Sequence, residues 1–300
     1  MSVIGIEKLE FGVEDLKACQ KFLHDFGLHV SANNPSVFTT LSGAELALYP
    51  LDDSALPAPF ETGSTLRRIT WGVENLANLN QIIDNIQGCD GFERTSTGAQ
   101  CRDPNGMTVA FCLSQQKDVQ LDVTGINQWG DIRRKANPIN VGHVVFFVDD
   151  LPATEAFYCQ KLGFQVSDRY IDRAVFLRAQ INGCHHNLFL LKLPHRGSGL
   201  NHVAFTVRDI HEVIGGGLAM NRHNWSTFIG PGRHPISSAY FWYVNSPTGG
   251  AFEYYTNDDY LTEKWQPREL EHSLVSFTEW AVEGGLDYET RRQVKPTKES

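Results

Sequence analysis

Apolar and polar residues alternate in short runs along most of this chain, and the runs are punctuated in a repeating way. An alternating run ends in Val, an Asp or Asn follows, and apolar residues then recur at helical spacing for about three turns. Alternation with period two marks a strand with one buried face, and the longer period marks an amphipathic helix. The acidic or amide residue between them is an N-cap, its side-chain oxygen placed to accept a backbone N–H of the first turn. Four such junctions occur: Gly12-Val-Glu-Asp-Leu16, Gly72-Val-Glu-Asn-Leu76, Phe147-Val-Asp-Asp-Leu151 and Thr206-Val-Arg-Asp-Ile210. They predict helices over 15–26, 75–87, 150–162 and 209–222, each followed by Gly-rich turns and short alternating strands.

The chain therefore repeats itself. Val13-x-Asp-Leu-x-Ala18, Phe22 and Gly27-Leu-x-Val-Ser31 align with Val148-x-Asp-Leu-x-Ala153, Phe157 and Gly163-Phe-x-Val-Ser167 once one residue is inserted. Each copy reads as a βαβββ unit, beginning near residues 5, 65, 140 and 199. A helix covers one face of such a unit, so the other face needs a second copy. The fold class expected is α+β, with four βαβββ modules paired into two domains and a C-terminal tail. The domains expected are 1–115 and 139–257, joined by a connector over 116–138. The tail, 258–300, is charged but holds Trp265, Trp280 and an apolar stretch from Leu274 to Val282. It is expected as a strap or helix packed on the body, with disorder from Lys295 to Ser300.

Composition narrows the function classes. Apolar residues make up 41%, ample for a packed core, and the net charge is −9. Nucleic acid and anionic membranes attract a basic face, so both are excluded as expected partners. No apolar run approaches the ~18 residues of a membrane span, and the start lacks a secretion signal. Six scattered cysteines without a CxxC pattern read as reduced thiols, and the expected compartment is the cytoplasm.

The candidate chemistry lies in three β-patterned runs: Gly-His143-Val-Val-Phe-Phe-Val, Asn-His202-Val-Ala-Phe-Thr-Val and Gly-Ala-Phe-Glu253-Tyr-Tyr. Two imidazoles and one carboxylate form the ligand set of a mononuclear non-haem Fe(II) centre, which leaves one face of the metal open. A histidine inside an apolar strand is more often a hydrogen-bonded core residue than a ligand. The repeat outweighs that reading. Aligned at the capped helices, the first half carries Lys8, Arg68 and Ala110 where the second carries His143, His202 and Glu253. The scaffold is shared and the ligand set occurs once.

These features resemble the two-domain type I extradiol catechol dioxygenases of the vicinal oxygen chelate superfamily, over residues 5 to about 257. The most specific stretch is Gly232-Arg-His234, a short spacer, Trp242-Tyr243, then Ser246-Pro-Thr-Gly-Gly-Ala-Phe-Glu253. Trp242 stands where the family has an aliphatic residue or Phe, and Ser246 where it has an acidic, amide or small residue. Both departures bear on substrate shape. The resemblance implies Fe(II) on His143, His202 and Glu253, with Mn(II) as the alternative ion and no organic cofactor. It implies that His186, His234 and Tyr243 are catalytic. His186, in Gly-Cys-His-His-Asn-Leu-Phe-Leu, matches the acid/base histidine, since an imidazole takes and returns a proton near neutral pH. His234 and Tyr243 match the groups that hydrogen-bond the chelated diol. On an alternating strand only one ring of the HisHis pair can face the metal, which leaves His185 outward or structural and its replacement mild. Substrates would be a catechol and O₂, and the enzyme a homo-oligomer. The rival readings are another metalloenzyme of the superfamily, such as an isomerase or keto-acid oxygenase, and a metal-free binding protein on the same scaffold. The remaining histidines, His24, His29, His195, His211, His223 and His272, match nothing and read as solvated. Phe147, Phe205 and Phe252 read as core.

Overall fold

The computed structural model describes residues 3–121 and 136–283. The expected disorder at Lys295 to Ser300 and most of the connector lie outside the described residues. The first half runs β1 (Val3–Val13), α1 (Leu16–Asp25), β2 (His29–Ser31), β3 (Asn34–Thr39), β4 (Glu45–Pro50), β5 (Thr65–Val73), α2 (Leu76–Ile86), β6 (Glu93–Arg94), β7 (Gly98–Arg102) and β8 (Thr108–Leu113). The second runs β9 (Asn140–Phe147), α3 (Leu151–Ala156), β10 (Gln165–Tyr170), β11 (Ala174–Arg178), β12 (Gly183–Cys184), β13 (Leu188–Leu191), β14 (Gly199–Thr206), α4 (Ile210–Arg222), β15 (Thr227–Arg233), β16 (Tyr240–Asn245) and β17 (Ala251–Thr256). The tail adds β18 (Tyr260–Leu261), β19 (Arg268–Leu270), α5 (Leu274–Phe277) and β20 (Trp280–Glu283).

All four junctions fold as capped helices. Asp15 accepts from the Ala18 N–H at 2.9 Å, Asn75 from Asn78 at 3.0 Å, Asp150 from Ala153 at 3.0 Å and Asp209 from Glu212 at 3.1 Å. The residue inserted in the third copy is taken up where α3 gives way to a π turn over Phe157–Lys161, whose wider bonding pattern holds one more residue per turn.

Each half forms one large sheet, and β12 pairs apart from these with β18 of the tail. The first has strand order β2-β3-β4-β1-β5-β8-β7-β6, and the second β19-β10-β11-β13-β9-β14-β17-β16-β15-β20. In each, two modules join through an antiparallel pair of first strands, β1 with β5 and β9 with β14. Each first strand then pairs in parallel with a later strand of its own module.

One face of each sheet meets the other half in a shared apolar core. Phe22 of α1 and Phe26 at its C-cap pack against Phe252 at 5.3 and 5.4 Å, and Phe26 stacks on Tyr254 at 3.9 Å. The Tyr254 hydroxyl donates to the Phe26 carbonyl at 2.8 Å. Phe205 and Phe252 are core as expected, but Phe147 is half-buried beneath the Arg196 guanidinium, 4.7 Å from its ring. On strands β9, β14, β16 and β17 the residues Val144, Val203, Val244 and Phe252 face this core. By alternation, His143, His202, Tyr243 and Glu253 project from the opposite face.

The tail is a strap that adds a strand at each edge of the second sheet: β19 runs parallel to β10, and β20 antiparallel to β15. The Trp265 indole donates to the Ser167 carbonyl at 2.8 Å, and Arg268 lies over the Trp265 ring at 4.8 Å. His272, expected solvated, sits half-buried here, accepting from Arg173 at 3.0 Å with its ring 5.4 Å from Tyr170. All six cysteines are free thiols. Among the described residues no helix is long and apolar enough to cross a membrane.

Candidate metal centre and active site

Strand register brings the three ligand candidates together. His143 on β9 lies opposite Ala204 on β14, and Ala204 lies opposite Glu253 on β17. His202 enters from β14 two residues before Ala204. The first half repeats the register with Lys8 opposite Thr70 and Thr70 opposite Ala110, so the alignment of Lys8, Arg68 and Ala110 with the triad is geometric as well as sequential. There the buried Glu10 takes Arg68 at 3.3 Å and Lys8 at 3.5 Å, and accepts the Tyr49 hydroxyl at 3.3 Å. Two cations fill the place that a metal would have.

In the second half three donor atoms converge. His143 Nε2 and His202 Nε2 are 3.2 Å apart, and Glu253 Oε2 lies 3.2 Å from the first and 3.3 Å from the second. All three residues are buried. Cis donors of an octahedron, each about 2.1–2.2 Å from its centre, lie roughly 3.0 Å apart. The triangle therefore fits one octahedral face. Glu253 Oε2 is buried without a hydrogen-bond donor among the described residues. The His202 Nδ1–H donates to Asn201 Oδ1 at 2.6 Å, which leaves the Nε2 lone pair aimed at the carboxylate. Two lone pairs and an anionic oxygen converging in a dry site call for a cation between them. Burial pushes the His143 imidazole down to about 4, so it is a neutral donor. Its Nδ1 has no hydrogen-bond partner among the described residues, and packing holds the ring, 4.1 Å from His186 and 4.9 Å from Tyr255. Burial opposes ionisation of Glu253, and its carboxyl is held well below the usual range only in so far as His143 and His202 offer it N–H groups or positive charge, a part that a bound cation would take over.

The other candidates surround this centre. His186 lines the pocket and is held well below the ordinary imidazole range, first by burial and then by His143. His234 donates Nδ1–H to the Phe277 carbonyl of the strap at 2.8 Å and accepts the Tyr243 hydroxyl at Nε2, 3.0 Å. Burial raises Tyr243 well above the ordinary phenol range. Tyr243 pairs in register with Glu253 on the neighbouring strand.

Two expectations are corrected. His185 and His186 lie in a loop between β12 and β13, not on an alternating strand. Of the two alternatives for His185, outward or structural, the second holds: it is 0% exposed and bonds Asp168 Oδ2 at 2.7 Å, so the mild replacement expected of it is withdrawn. Trp242 does not shape the substrate pocket either. It faces the core, its indole N–H donating to Thr227 Oγ1 at 3.0 Å. Ser246 builds the turn before β17, bonding the Thr248 hydroxyl at 2.8 Å and accepting its N–H at 3.1 Å. Sequence reasoning missed the apolar walls, Tyr170, Phe176, Phe189, Ile236 and Phe277. It gave no role to Tyr255, which alternation places on the face of Glu253 two residues on. The Tyr255 hydroxyl accepts from Thr206 at 3.0 Å, and a Cβ at Gly142 would fall 1.9 Å from it. The glycine before His143 thus admits that ring.

Paired βαβββ modules around a buried His/His/Glu face define the class, and the Glyoxalase/Bleomycin resistance protein/Dioxygenase superfamily model matches residues 140–254. The chain is 36% identical over 278 residues to Metapyrocatechase 2 of Cupriavidus necator, covering 87% of this chain and 83% of that protein. In fold it is similar to the Mn(II)-bound glyoxalase from Novosphingobium aromaticivorans (TM-score 0.76, 21% identity, 93% of this chain and 91% of that one). It is similar also to homoprotocatechuate 2,3-dioxygenase from Arthrobacter globiformis (TM-score 0.71, 20% identity, 92% and 86%). The chain belongs to the extradiol catechol dioxygenase family of that superfamily.

Proposed function

We propose that this protein is an Fe(II)-dependent extradiol dioxygenase that opens a catecholic ring beside its hydroxyls, incorporating both atoms of O₂. The observation that carries the reading is the convergence of His143 Nε2, His202 Nε2 and Glu253 Oε2 on one octahedral face, within a family that includes metapyrocatechases. Fe(II), when bound, acidifies the chelated diol and passes electron density from ring to oxygen. The chain supplies the rest. His186 takes and returns a proton on the open side. His234 Nε2 and the Tyr243 hydroxyl, paired with each other at 3.0 Å, would turn to the diol oxygens, His234 as an acceptor because the strap keeps its proton on Nδ1. Tyr243→Phe is expected to lose a single hydrogen bond to the diol, about 1 kcal/mol, or roughly fivefold in turnover.

The walls narrow the substrate. Phe176 and Phe189 stack at 4.0 Å, and Ile236, Tyr170 and Phe277 close the pocket. No Lys or Arg is among its described lining residues, whereas Asp258 is. A carboxylate on the ring would be desolvated without a partner. Neutral catechols with hydrogen or a small apolar substituent fit; carboxylated ones do not. The test is anaerobic Fe(II) loading followed by catechol, 3-methylcatechol, protocatechuate and 3,4-dihydroxyphenylacetate in air, followed as yellow ring-fission product. The reading predicts that the first two are cleaved at least ~10-fold faster in kcat/KM. Preference for the carboxylated pair would overturn the substrate assignment.

A further inference from the structure

Behind His186 runs a line of buried polar groups that the triad does not need. Asp168 on β10 and His185 are both 0% exposed. His185 Nε2 lies 2.7 Å from Asp168 Oδ2, and its Nδ1 lies 3.1 Å from His186 Nδ1. The strap closes the far end: the Arg268 backbone N–H donates to Asp168 Oδ1 at 2.8 Å, its Nε to the same oxygen at 3.1 Å, and its Nη2 to Oδ2.

Hydrogen-bond polarity propagates along this line. Asp168 receives four donors and is a carboxylate, which only accepts. The bonding nitrogen of His185 therefore carries a hydrogen. Arg268 already pairs with the carboxylate of Asp168, so His185 need only donate its Nε2–H there as a neutral ring, and Asp258 Oδ2 takes the His185 backbone N–H at 3.2 Å rather than the ring. A neutral ring with Nε2–H has a lone pair on Nδ1, and that lone pair takes the Nδ1–H of His186. The Nε2 of His186 is left unprotonated, without a hydrogen-bond partner among the described residues, on a ring that lines the pocket.

We propose that Asp168 and His185 are positioning residues that hold His186 in its Nδ1–H tautomer, so that a base and not a donor faces the open side of the metal. The inference rests on the acid/base reading of His186. The opposite tautomer would present an N–H where a proton must be accepted, and the first proton transfer would fail.

Three variants test this on the Fe(II)-loaded full chain. Asp168→Asn is nearly isosteric. Its oxygen turns to Arg268 and its amide N–H to His185, which reverses the polarity of the line and gives His186 the wrong tautomer. Turnover should fall by ~10²-fold or more, with iron content and anaerobic catechol affinity changed less than about threefold. His185→Leu should behave alike. In His185→Gln the amide N–H can serve Asp168 and its oxygen can accept from His186, so kcat should return to within about fivefold of the parent. A merely structural role predicts Gln and Leu falling together, or losses in iron and KM rather than in kcat, and either pattern overturns the proposal. So does Asp168→Asn turning over at the parent rate. If Asp168→Asn does not fold, the Gln–Leu contrast still decides. A loaded parent enzyme that cleaves no catechol would instead sink the underlying reading.

Discussion

Three consecutive glycines, Gly215 to Gly217, sit in the middle of α4, where each costs about 1 kcal/mol relative to Ala. Helix propensity alone predicts that Gly217→Ala stabilises the protein by that amount. The structure predicts the reverse. A Cβ on Gly217 would fall 2.0 Å from Trp242 Cδ2 and 2.4 Å from both Cε2 and Cε3. The indole is buried and tied to Thr227 by its N–H at 3.0 Å, so it cannot swing aside without losing that bond. Overpacking costs about 1–3 kcal/mol and the broken hydrogen bond about 1 kcal/mol. Less the propensity gain, Gly217→Ala should destabilise by roughly 1–3 kcal/mol. In a Trp242→Val background the space is open, and the same change should stabilise by about 1 kcal/mol. The cycle then carries a coupling of roughly 2–4 kcal/mol. Urea unfolding midpoints of the four proteins at matched metal content measure it. A Gly217→Ala protein more stable than its parent would refute the packing argument.

Further outcomes follow from the same geometry. Arg68→Ala should cost about 1–2 kcal/mol through the weakened Glu10 cluster, yet leave bound iron unchanged by metal analysis; iron loss would place the site across both halves. Asn201→Ala frees the His202 ring and should weaken metal affinity ~10–100-fold, read by competition with a chelator. Burial raises the carboxyl of Asp103 to about 6, against hydrogen bonds from Tyr158, Met107 and Asn105. A carboxyl raised above its unfolded value holds its proton more tightly when folded. Its contribution is fullest below about pH 4 and is lost as pH rises through 6, roughly 3 kcal/mol over two units. Stability measured from pH 4 to 7 should fall less steeply in Asp103→Asn than in the parent; parallel curves would refute the assignment.

Much of this was legible because the sequence carries local and repeated signals that agree. The caps at Asp15, Asn75, Asp150 and Asp209 each mark a strand-to-helix junction with a mechanism of its own. The triad could be singled out because the aligned half lacks it, and strand register preserves that alignment residue for residue. What escaped depends on contacts between segments far apart in the chain. His185 could be assigned no partner, since Asp168 lies 17 residues away and Arg268 arrives from the strap. The alternation that turned Trp242 away from Tyr243 was readable; the Gly217 surface that receives it was not. The strap was expected to pack on the body, but its Phe277 carbonyl fixing His234 follows from no pattern in residues 258–283. The HisHis pair was read with strand alternation although it lies in a loop, where period two has no force.

The most direct test uses one preparation of the full chain, loaded anaerobically with Fe(II), desalted, assayed for iron, and then given catechol in air with oxygen uptake recorded. The account predicts one iron per chain, yellow ring-fission product, and one O₂ consumed per catechol, with Glu253→Ala folded and free of iron. A folded Glu253→Ala chain that retains stoichiometric iron, or a loaded parent that consumes no oxygen with any neutral catechol, would contradict it.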